Sequence, residues 1–307
     1  MMVSSLLFVR KVFLLQQWTR VVIIVKTFYD RYMLNVIKAD GSQEPYSDEK
    51  VVKSIKRAGI PEKLQVSVLK SIKSKLYDNI PTYDIYGFIN DALANSQEPY
   101  SKSRYSLKQS IMMLGPTGYP FEDFMGRIFS EHGYKVQTRQ ILNGRCVTHE
   151  IDVIAEKDGK KILIEAKFHN NPGTRSDVHI PLYVHSRFED LKDRYKFDEA
   201  WIVTNTKTTT DADTYANCNG MNIISWNSPE KGSLRDLIEE KNLHPVTMLT
   251  TLTTQQKAQL LANHIIMCKD LIDNHKNLAL LSLAPEEMKL TLTEAEYICS
   301  NSHNHSA

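Results

Sequence analysis

The stretch from His149 to Phe168 constrains the fold more than any other part of the sequence, because it has the pattern of a β-hairpin. Two runs rich in isoleucine and valine flank Asp158-Gly159, a dipeptide that favours a two-residue hairpin turn. Such a turn fixes the pairing of the two strands, and alternate residues of a strand share one face. The face that we expect in the core consists of these residues: Ile151, Val153, Ile162, Ile164 and Ala166.

The opposite face of this predicted hairpin is charged. The turn places Asp152 opposite Glu165, and Glu150 opposite Lys167. Two carboxylates that face each other destabilise a hairpin unless a cation lies between them. Oxygen ligands in this arrangement suit Mg²⁺, which binds one or two protein carboxylates and keeps its other sites for water and phosphate. The alternative is a solvated face with a weak cross-strand ion pair.

The charged face indicates metal-assisted hydrolysis of phosphodiesters. Asp152 and Glu165 are the candidate ligands for Mg²⁺ or Mn²⁺, and Lys167 is the candidate group that positions or activates a water. Asp152 followed by Glu165-Ala166-Lys167 resembles the PD-(D/E)xK nuclease signature, with Ile151 where that signature has proline. The resemblance implies a hydrolase that acts as a DNA endonuclease.

The residues before the hairpin add one more carboxylate. The run from Gly115 to Pro120 breaks the helical pattern and marks a domain boundary, and an amphipathic helix is predicted over residues 121–132. In nucleases of the Mrr restriction and Holliday-junction-resolvase type, a glutamate on this helix often joins the acidic site. That resemblance makes Glu122 a candidate, with a surface glutamate as the alternative. Glu122 and Glu150 would assist a second metal or orient the first.

The residues after the hairpin predict a mixed sheet. A basic helix over residues 180–195 carries His185, Arg187, Lys192 and Arg194, and it is either a grip on the phosphate backbone or a solvated face. A strand, a helix and a second strand then follow to Trp226, which implies a parallel crossover and helices on both sides of the sheet. The nuclease resemblance covers residues 119–226.

The segment over residues 34–114 has another pattern. Two short strands meet at an Asp40-Gly41 turn, and four amphipathic helices follow, the first of which is capped by Ser47. This segment resembles the ATP-cone, the regulatory nucleotide-binding module of ribonucleotide reductases and related proteins. The resemblance rests on these residues: Val36, Lys38, Asp40, Gly41, the DEK helix start at 48–50, Thr82 and Tyr105.

The ATP-cone resemblance implies a regulatory site for ATP or dATP. Its nucleotide contacts carry over to four positions of this chain: Lys38, Glu44, Lys50 and Thr82. Physically, two lysines can neutralise phosphates, and a helix N-terminus adds its own positive end. Ala39 stands where the family usually has an arginine, which removes a bidentate phosphate donor. The alternative is that the lysines only solvate helical faces.

The two ends of the chain carry weaker signals. Residues 1–33 are apolar but interrupted by basic residues. They indicate either an amphipathic basic helix or an upstream sequence that was included in the gene although translation starts at Met33. Residues 234–298 predict short helices that resemble helix-hairpin-helix DNA-binding modules, although Asn263-His264 replaces the expected glycine. The expected fold class is therefore α/β and α, multi-domain. The domain limits are 34–114 for the ATP-cone, 119–228 for a restriction-endonuclease-like sheet and 233–299 for a small helical domain.

Composition limits the partners and the compartment. A net charge of +2 is too small for a global field, so contacts with DNA must come from local patches. Four scattered cysteines indicate buried reduced thiols in a cytoplasmic protein, and we expect no stable membrane insertion. The expected partners are DNA, ATP or dATP, and further copies of the chain in a homo-oligomer. The alternative function is a non-catalytic, nucleotide-responsive DNA-binding protein that uses the nuclease fold as a platform.

Overall fold

The computed structural model describes residues 34–98, 100–115 and 118–300. The two interpretations of residues 1–33 therefore fall outside the described residues. The N-terminal unit contains these elements: β1 (Asn35–Ile37), β2 (Gln43–Pro45), α1 (Asp48–Arg57), α2 (Glu62–Lys73), β3 (Ile80–Pro81), α3 (Thr82–Ala94), α4 (Ser101–Tyr105) and α5 (Leu107–Met112).

The N-terminal unit folds around the predicted hairpin and helices. β1 pairs with β2 in the antiparallel direction, and Ser47 caps α1 by accepting the N–H of Lys50. Two details were not predicted. β3 joins β1 as a parallel strand, and the fourth helix is divided into α4 and α5. A separate core holds this unit together, with Ile55, Ile72 and Ile80 fully buried.

The second unit is a mixed sheet flanked by helices. Its elements are α6 (Tyr119–Glu131), β4 (Lys135–Asn143), β5 (Thr148–Lys157), β6 (Lys160–Lys167), β7 (Arg175–Ser176), α7 (His179–Tyr195), β8 (Glu199–Thr204), β9 (Lys207–Thr208), α8 (Thr210–Cys218) and β10 (Asn222–Ile224). The strand order is β10-β8-β6-β5-β4, with β4, β5 and β6 antiparallel and β6, β8 and β10 parallel. The predicted crossover after the hairpin is thus confirmed, as is the mixed α/β fold.

Both faces of the sheet are covered, so the hairpin has no fully solvated face. Val153 and Ile164 pack in one cluster with α6 and the C-terminal helices, whereas Ile154 and Leu163 pack in another with α7. One prediction is wrong: Ile151 belongs to the α7 cluster and not to the face of Val153. The alternation of the strand breaks between these two residues, at the position of Asp152.

The C-terminal unit is helical and shares a core with the sheet. Its elements are α9 (Leu234–Glu240), a 3₁₀ turn (Val246–Met248), α10 (Thr254–Ala262), α11 (Cys268–Asp273), a second 3₁₀ segment (His275–Leu281) and α12 (Pro285–Cys299). Leu260 and Ile298 of this unit join the same hydrophobic cluster as Phe121 and Ile128 of α6. His264 has a φ of 58°, the left-handed conformation for which a glycine was expected.

Two expectations from composition concern the burial of the cysteines and insertion into a membrane. Cys146 and Cys218 are exposed and Cys268 is buried, so the prediction of buried thiols is wrong for the first two. All four cysteines are free. Within the described ranges, no helix has the length and apolarity needed to cross a membrane.

A pair of glycine substitutions tests the hairpin turn. Gly159 has a φ of 77°, so Gly159→Ala is expected to lower the free energy of unfolding by about 1 kcal/mol. Gly87 lies within α3, and a methyl group there would meet no atom within 4 Å. Gly87→Ala should therefore raise the free energy of unfolding by about 0.5–1 kcal/mol. Urea unfolding measures both values, and equal signs for the two variants would contradict the turn.

Candidate functional site

The turn of the hairpin has the predicted form. Asp158 and Gly159 are the two loop residues, with φ values of 53° and 77°, and the paired positions run from Lys157–Lys160 to Val153–Ile164. Positive φ at both central residues is the geometry of the type I′ turn that matches strand twist. The register predicted from the sequence is confirmed over these pairs, and it brings Asp152 and Glu165 to the same end of the hairpin.

Asp152 lies where the regular ladder is interrupted. Its Oδ2 accepts the backbone N–H of Ala166 at 2.7 Å, just beyond the last paired residues of β5 and β6. In the neighbouring ladder between β4 and β5, Arg139 is left out of the paired positions, and it has a φ of 50°. The carboxylate is thus half-buried and held by a backbone donor at the end of the paired segment.

The carboxylates of the site act on one another. Burial raises the pKa of Asp152 to about 7, and the neighbouring carboxylates of Glu165 and Glu122 add to this shift. Burial also raises the pKa of Glu122; the charge of Arg139 opposes the shift, whereas Glu150 and Glu165 contribute to it. Asp152, Glu165 and Glu122 are therefore half-buried neighbours whose negative charges oppose one another, whereas Glu150 is exposed and acts on Glu122 through its charge.

Arg187 is the residue that the sequence analysis did not assign to the site. Its Nη1 lies 2.6 Å from Oε2 of Glu165, and its side chain is only 9% exposed. Its guanidinium also stacks over the ring of Tyr183, at 4.5 Å from the centroid. The sequence predicted only a basic helix. Nothing in the pattern of that helix distinguished the arginine that faces the sheet from the solvated basic residues beside it.

Lys167 completes the predicted set from the end of β6. It is half-buried and pairs in the ladder with Thr204 of β8, two residues beyond Glu165. Because side chains two apart on a strand project to one side, its ammonium is on the side of Glu165. No ion pair of Lys167 occurs among residues 34–98, 100–115 and 118–300, so the ammonium is available to a ligand.

The donor set fits a small divalent cation. Two juxtaposed carboxylates, one of them with a raised pKa, supply the hard oxygen ligands that Mg²⁺ prefers. In the part of the chain that the structure describes, no group of three or more histidine, cysteine or acidic side chains is arranged to hold a metal. A cation here would therefore take two protein ligands and fill its remaining positions with water or phosphate oxygens.

The second predicted site lies in the N-terminal unit. Oε2 of Glu44 is paired with both lysines, at 2.5 Å from Lys38 and 2.9 Å from Lys50, and these contacts lower the pKa of Glu44. Thr82, the first residue of α3, lines two adjacent cavities, one with Lys38 and the other with Glu44 and Lys50. All four predicted nucleotide contacts therefore lie around one region of the surface.

The architecture and both sites define a class of protein, an ATP-cone fused to a restriction-endonuclease-like domain. Family models match in the same order: the ATP cone domain at residues 34–110, a restriction endonuclease family at 115–230 and the AF1548-like C-terminal family at 244–299. The chain belongs to the AF1548-like family. It is 34% identical over 175 residues to an uncharacterized protein of Archaeoglobus fulgidus, covering 57% of this chain and 99% of that protein.

Two solved structures are similar to parts of the chain. The crystal structure of AF1548, a protein of unknown function, has a TM-score of 0.52 at 32% identity and covers 60% of this chain and 98% of that one. A repair endonuclease from Pyrococcus abyssi has a TM-score of 0.26 at 22% identity over 33% of this chain and 41% of that one, a similarity too low to support an argument.

Proposed function

We propose that this chain is a metal-dependent DNA endonuclease whose activity responds to ATP or dATP. The single observation that carries the proposal is the pair of Asp152 and Glu165 at the interrupted end of the hairpin. Burial and, after it, the charge of Glu165 make the ionised form of Asp152 unfavourable and raise its pKa to about 7. A purely structural hairpin gains nothing from such a pair, whereas a cation site requires it.

Each residue of the cluster has a role in this proposal. Asp152 and Glu165 would hold Mg²⁺ or Mn²⁺, which when bound supplies a Lewis acid that offsets phosphate charge. Lys167 donates a hydrogen bond to the attacking water or to a phosphate oxygen. Glu122 and Glu150 increase the negative potential around the cation. Arg187 holds Glu165 in place through its charged hydrogen bond.

The nucleotide part of the proposal rests on the N-terminal site. Lys38 and Lys50 lie within reach of one carboxylate, Glu44, and would turn to the phosphates of ATP or dATP when a nucleotide binds. The bound nucleotide would alter DNA access or the assembly of a homo-oligomer.

One observation favours a second candidate, a nucleotide-responsive protein that binds DNA without cleaving it. The guanidinium of Arg187 already neutralises Glu165, which lessens the need for a cation at that carboxylate. In this case the fold would grip DNA through Lys167 and the basic residues of α7. Binding without cleavage, equal with and without divalent cations, would identify this function.

A plasmid cleavage assay separates the two candidates. The wild-type chain should nick or linearise plasmid DNA with Mg²⁺ or Mn²⁺ and lose this activity in EDTA. Lys167→Ala should lower the rate by about a hundredfold, because one charged donor to the reacting phosphate is lost. Glu156→Gln, which removes an exposed carboxylate from the other end of β5, is the matched control and should cleave like the wild type. Unchanged cleavage by Lys167→Ala would remove this residue from the proposal.

A further inference from the structure

The cavity next to Lys38 extends beyond the ATP-cone unit. It has a volume of about 340 Å³, which falls in the range of small-ligand sites. Most of its wall comes from the N-terminal unit, including Lys38 and Thr82. Three lining residues come from elsewhere: Pro172 in the loop after β6, Trp226 after β10 and Arg235 in α9.

The wall of this cavity is cationic. Lys38, Arg104, Lys108 and Arg235 line it, and none of the aspartates and glutamates that the structure describes does. Lys108 has no acidic partner within the described ranges; burial lowers the pKa of its ammonium, and the nearby charge of Lys207 lowers it further. Lys38 and Arg235 are each paired with an acid that does not line the cavity, whereas Lys108 and Arg104 have no acidic partner among the described residues. Part-buried cations without a counter-charge favour an anionic ligand.

Aromatic rings accompany these charges. Tyr86 and Tyr105 are stacked with their centroids 5.4 Å apart, and both line the cavity. Trp226 forms part of the opposite, nuclease side, where its side chain is almost fully buried and its backbone N–H is bound by Thr206. Aromatic faces next to lysine and arginine are the surroundings that a base and a polyphosphate require.

We infer that the nucleotide bridges the N-terminal unit and the two units that follow it, with Arg235 of the C-terminal unit binding its phosphates and Trp226, which follows the last strand of the sheet, lying against it. The inference rests on the proposed nucleotide function and adds residues that lie outside the ATP-cone. Oε1 of Glu239 lies 2.5 Å from Nε of Arg235 and Glu239 does not line the cavity, and no hydrogen bond of the two terminal nitrogens of Arg235 occurs among the described residues.

The position of the cavity also gives a route by which a bound nucleotide would influence the nuclease site. Pro172 belongs to the loop that leaves β6 directly after Lys167. The same loop touches the ATP-cone turn, because a methyl group on Gly173 would lie 2.1 Å from the carbonyl oxygen of Ala39. Arg175 then pairs with Asp40 at 2.5 Å. A ligand in the cavity therefore contacts the loop that begins directly after Lys167.

Isothermal titration of the full chain with ATP and with dATP tests the bridge. Arg235→Gln should weaken ATP binding by tenfold or more, since a charge-assisted contact is lost, and Arg235→Lys should recover part of the affinity. Arg127→Gln is the matched control, because Arg127 is also paired with an acid, Asp270, but lies away from the cavity; it should bind like the wild type. Thermal unfolding verifies that each variant is folded.

Tryptophan emission supplies a readout at the nuclease wall. The change in emission on adding ATP should disappear in Trp226→Phe and persist in Trp201→Phe, which replaces a tryptophan outside the cavity. Wild-type affinity in Arg235→Gln together with an unchanged signal in Trp226→Phe would overturn the bridge and leave nucleotide binding intact. A wild-type chain that binds neither ATP nor dATP would instead refute the nucleotide function itself, and the bridge with it.

Discussion

Asp152→Asn is expected to lower DNA cleavage by about a thousandfold and, in EDTA, to make the protein more stable. The activity falls because a metal ligand contributes several kcal/mol of charge stabilisation, and each 1.4 kcal/mol is about tenfold in rate. The stability rises because burial and Glu165 oppose the charge of Asp152, which raises its pKa to about 7. An increase of at least about 1 kcal/mol in the free energy of unfolding is expected near pH 8. Cleavage rates and urea unfolding measure the two effects.

The choice of asparagine isolates the charge. Its side-chain oxygen can still accept the N–H of Ala166, so the bond that holds this position in the wild type is kept. Asp158→Asn is the matched control: it makes the same chemical change at the turn of the same hairpin, where asparagine is equally suited. The control should change neither quantity. A loss of both activity and stability in Asp152→Asn would mean that Asp152 is structural.

The sequence allowed this site to be predicted because its geometry depends on local rules. Asp158-Gly159 determines a two-residue turn, the turn determines the register, and the register determines that Asp152 and Glu165 lie near each other. No distant part of the chain is needed for that argument. The roles of these residues remain proposals, whereas their proximity is a property of the hairpin.

The surroundings of the site could not be predicted in the same way. Arg187 contacts Glu165 because α7 packs across one face of the sheet. The sequence pattern of a helix does not specify which of its basic residues faces inward. Ile151 also departs from strict alternation, because the ladder is interrupted between it and Val153. The expectation that alternate residues share a face assumes an unbroken ladder, and this ladder is interrupted at Asp152, the candidate metal ligand.

The C-terminal unit shows a second limit on what could be predicted from the sequence. Its helices were predicted from their apolar pattern, but the polar contacts that join them to the rest of the chain were not, and one of these contacts is buried. Glu294 of α12 is fully buried and accepts the backbone N–H groups of Thr250 and Thr251 at 2.8 and 2.9 Å. The hydroxyl groups of Thr250 and Ser103 also donate to it. Because Ser103 belongs to α4, one carboxylate connects the ATP-cone unit with the C-terminal helices.

Glu294→Ala is therefore expected to lower the free energy of unfolding by about 1–3 kcal/mol. The substitution removes the acceptor of two backbone N–H groups and two hydroxyl groups. Thr250 and Thr251 are exposed and can bond to water instead, whereas the hydroxyl of Ser103 is fully buried, and an unsatisfied buried donor costs about 1–3 kcal/mol. A water that enters the space would recover part of this loss, which sets the lower value. Urea unfolding with a global probe measures the change.

The control lies on the same helix. Glu296 is exposed, and Glu296→Ala should alter the free energy of unfolding by no more than about 0.5 kcal/mol. Glu294→Gln separates charge from shape, since its amide offers one acceptor where the carboxylate offers two and brings donors towards Thr251; it should recover less than half of the loss. Because the carboxylate joins α4 to α12, Glu294→Ala should also increase amide exchange in both helices. Faster exchange in α12 alone would show that Glu294 stabilises its own unit without connecting it to the ATP-cone.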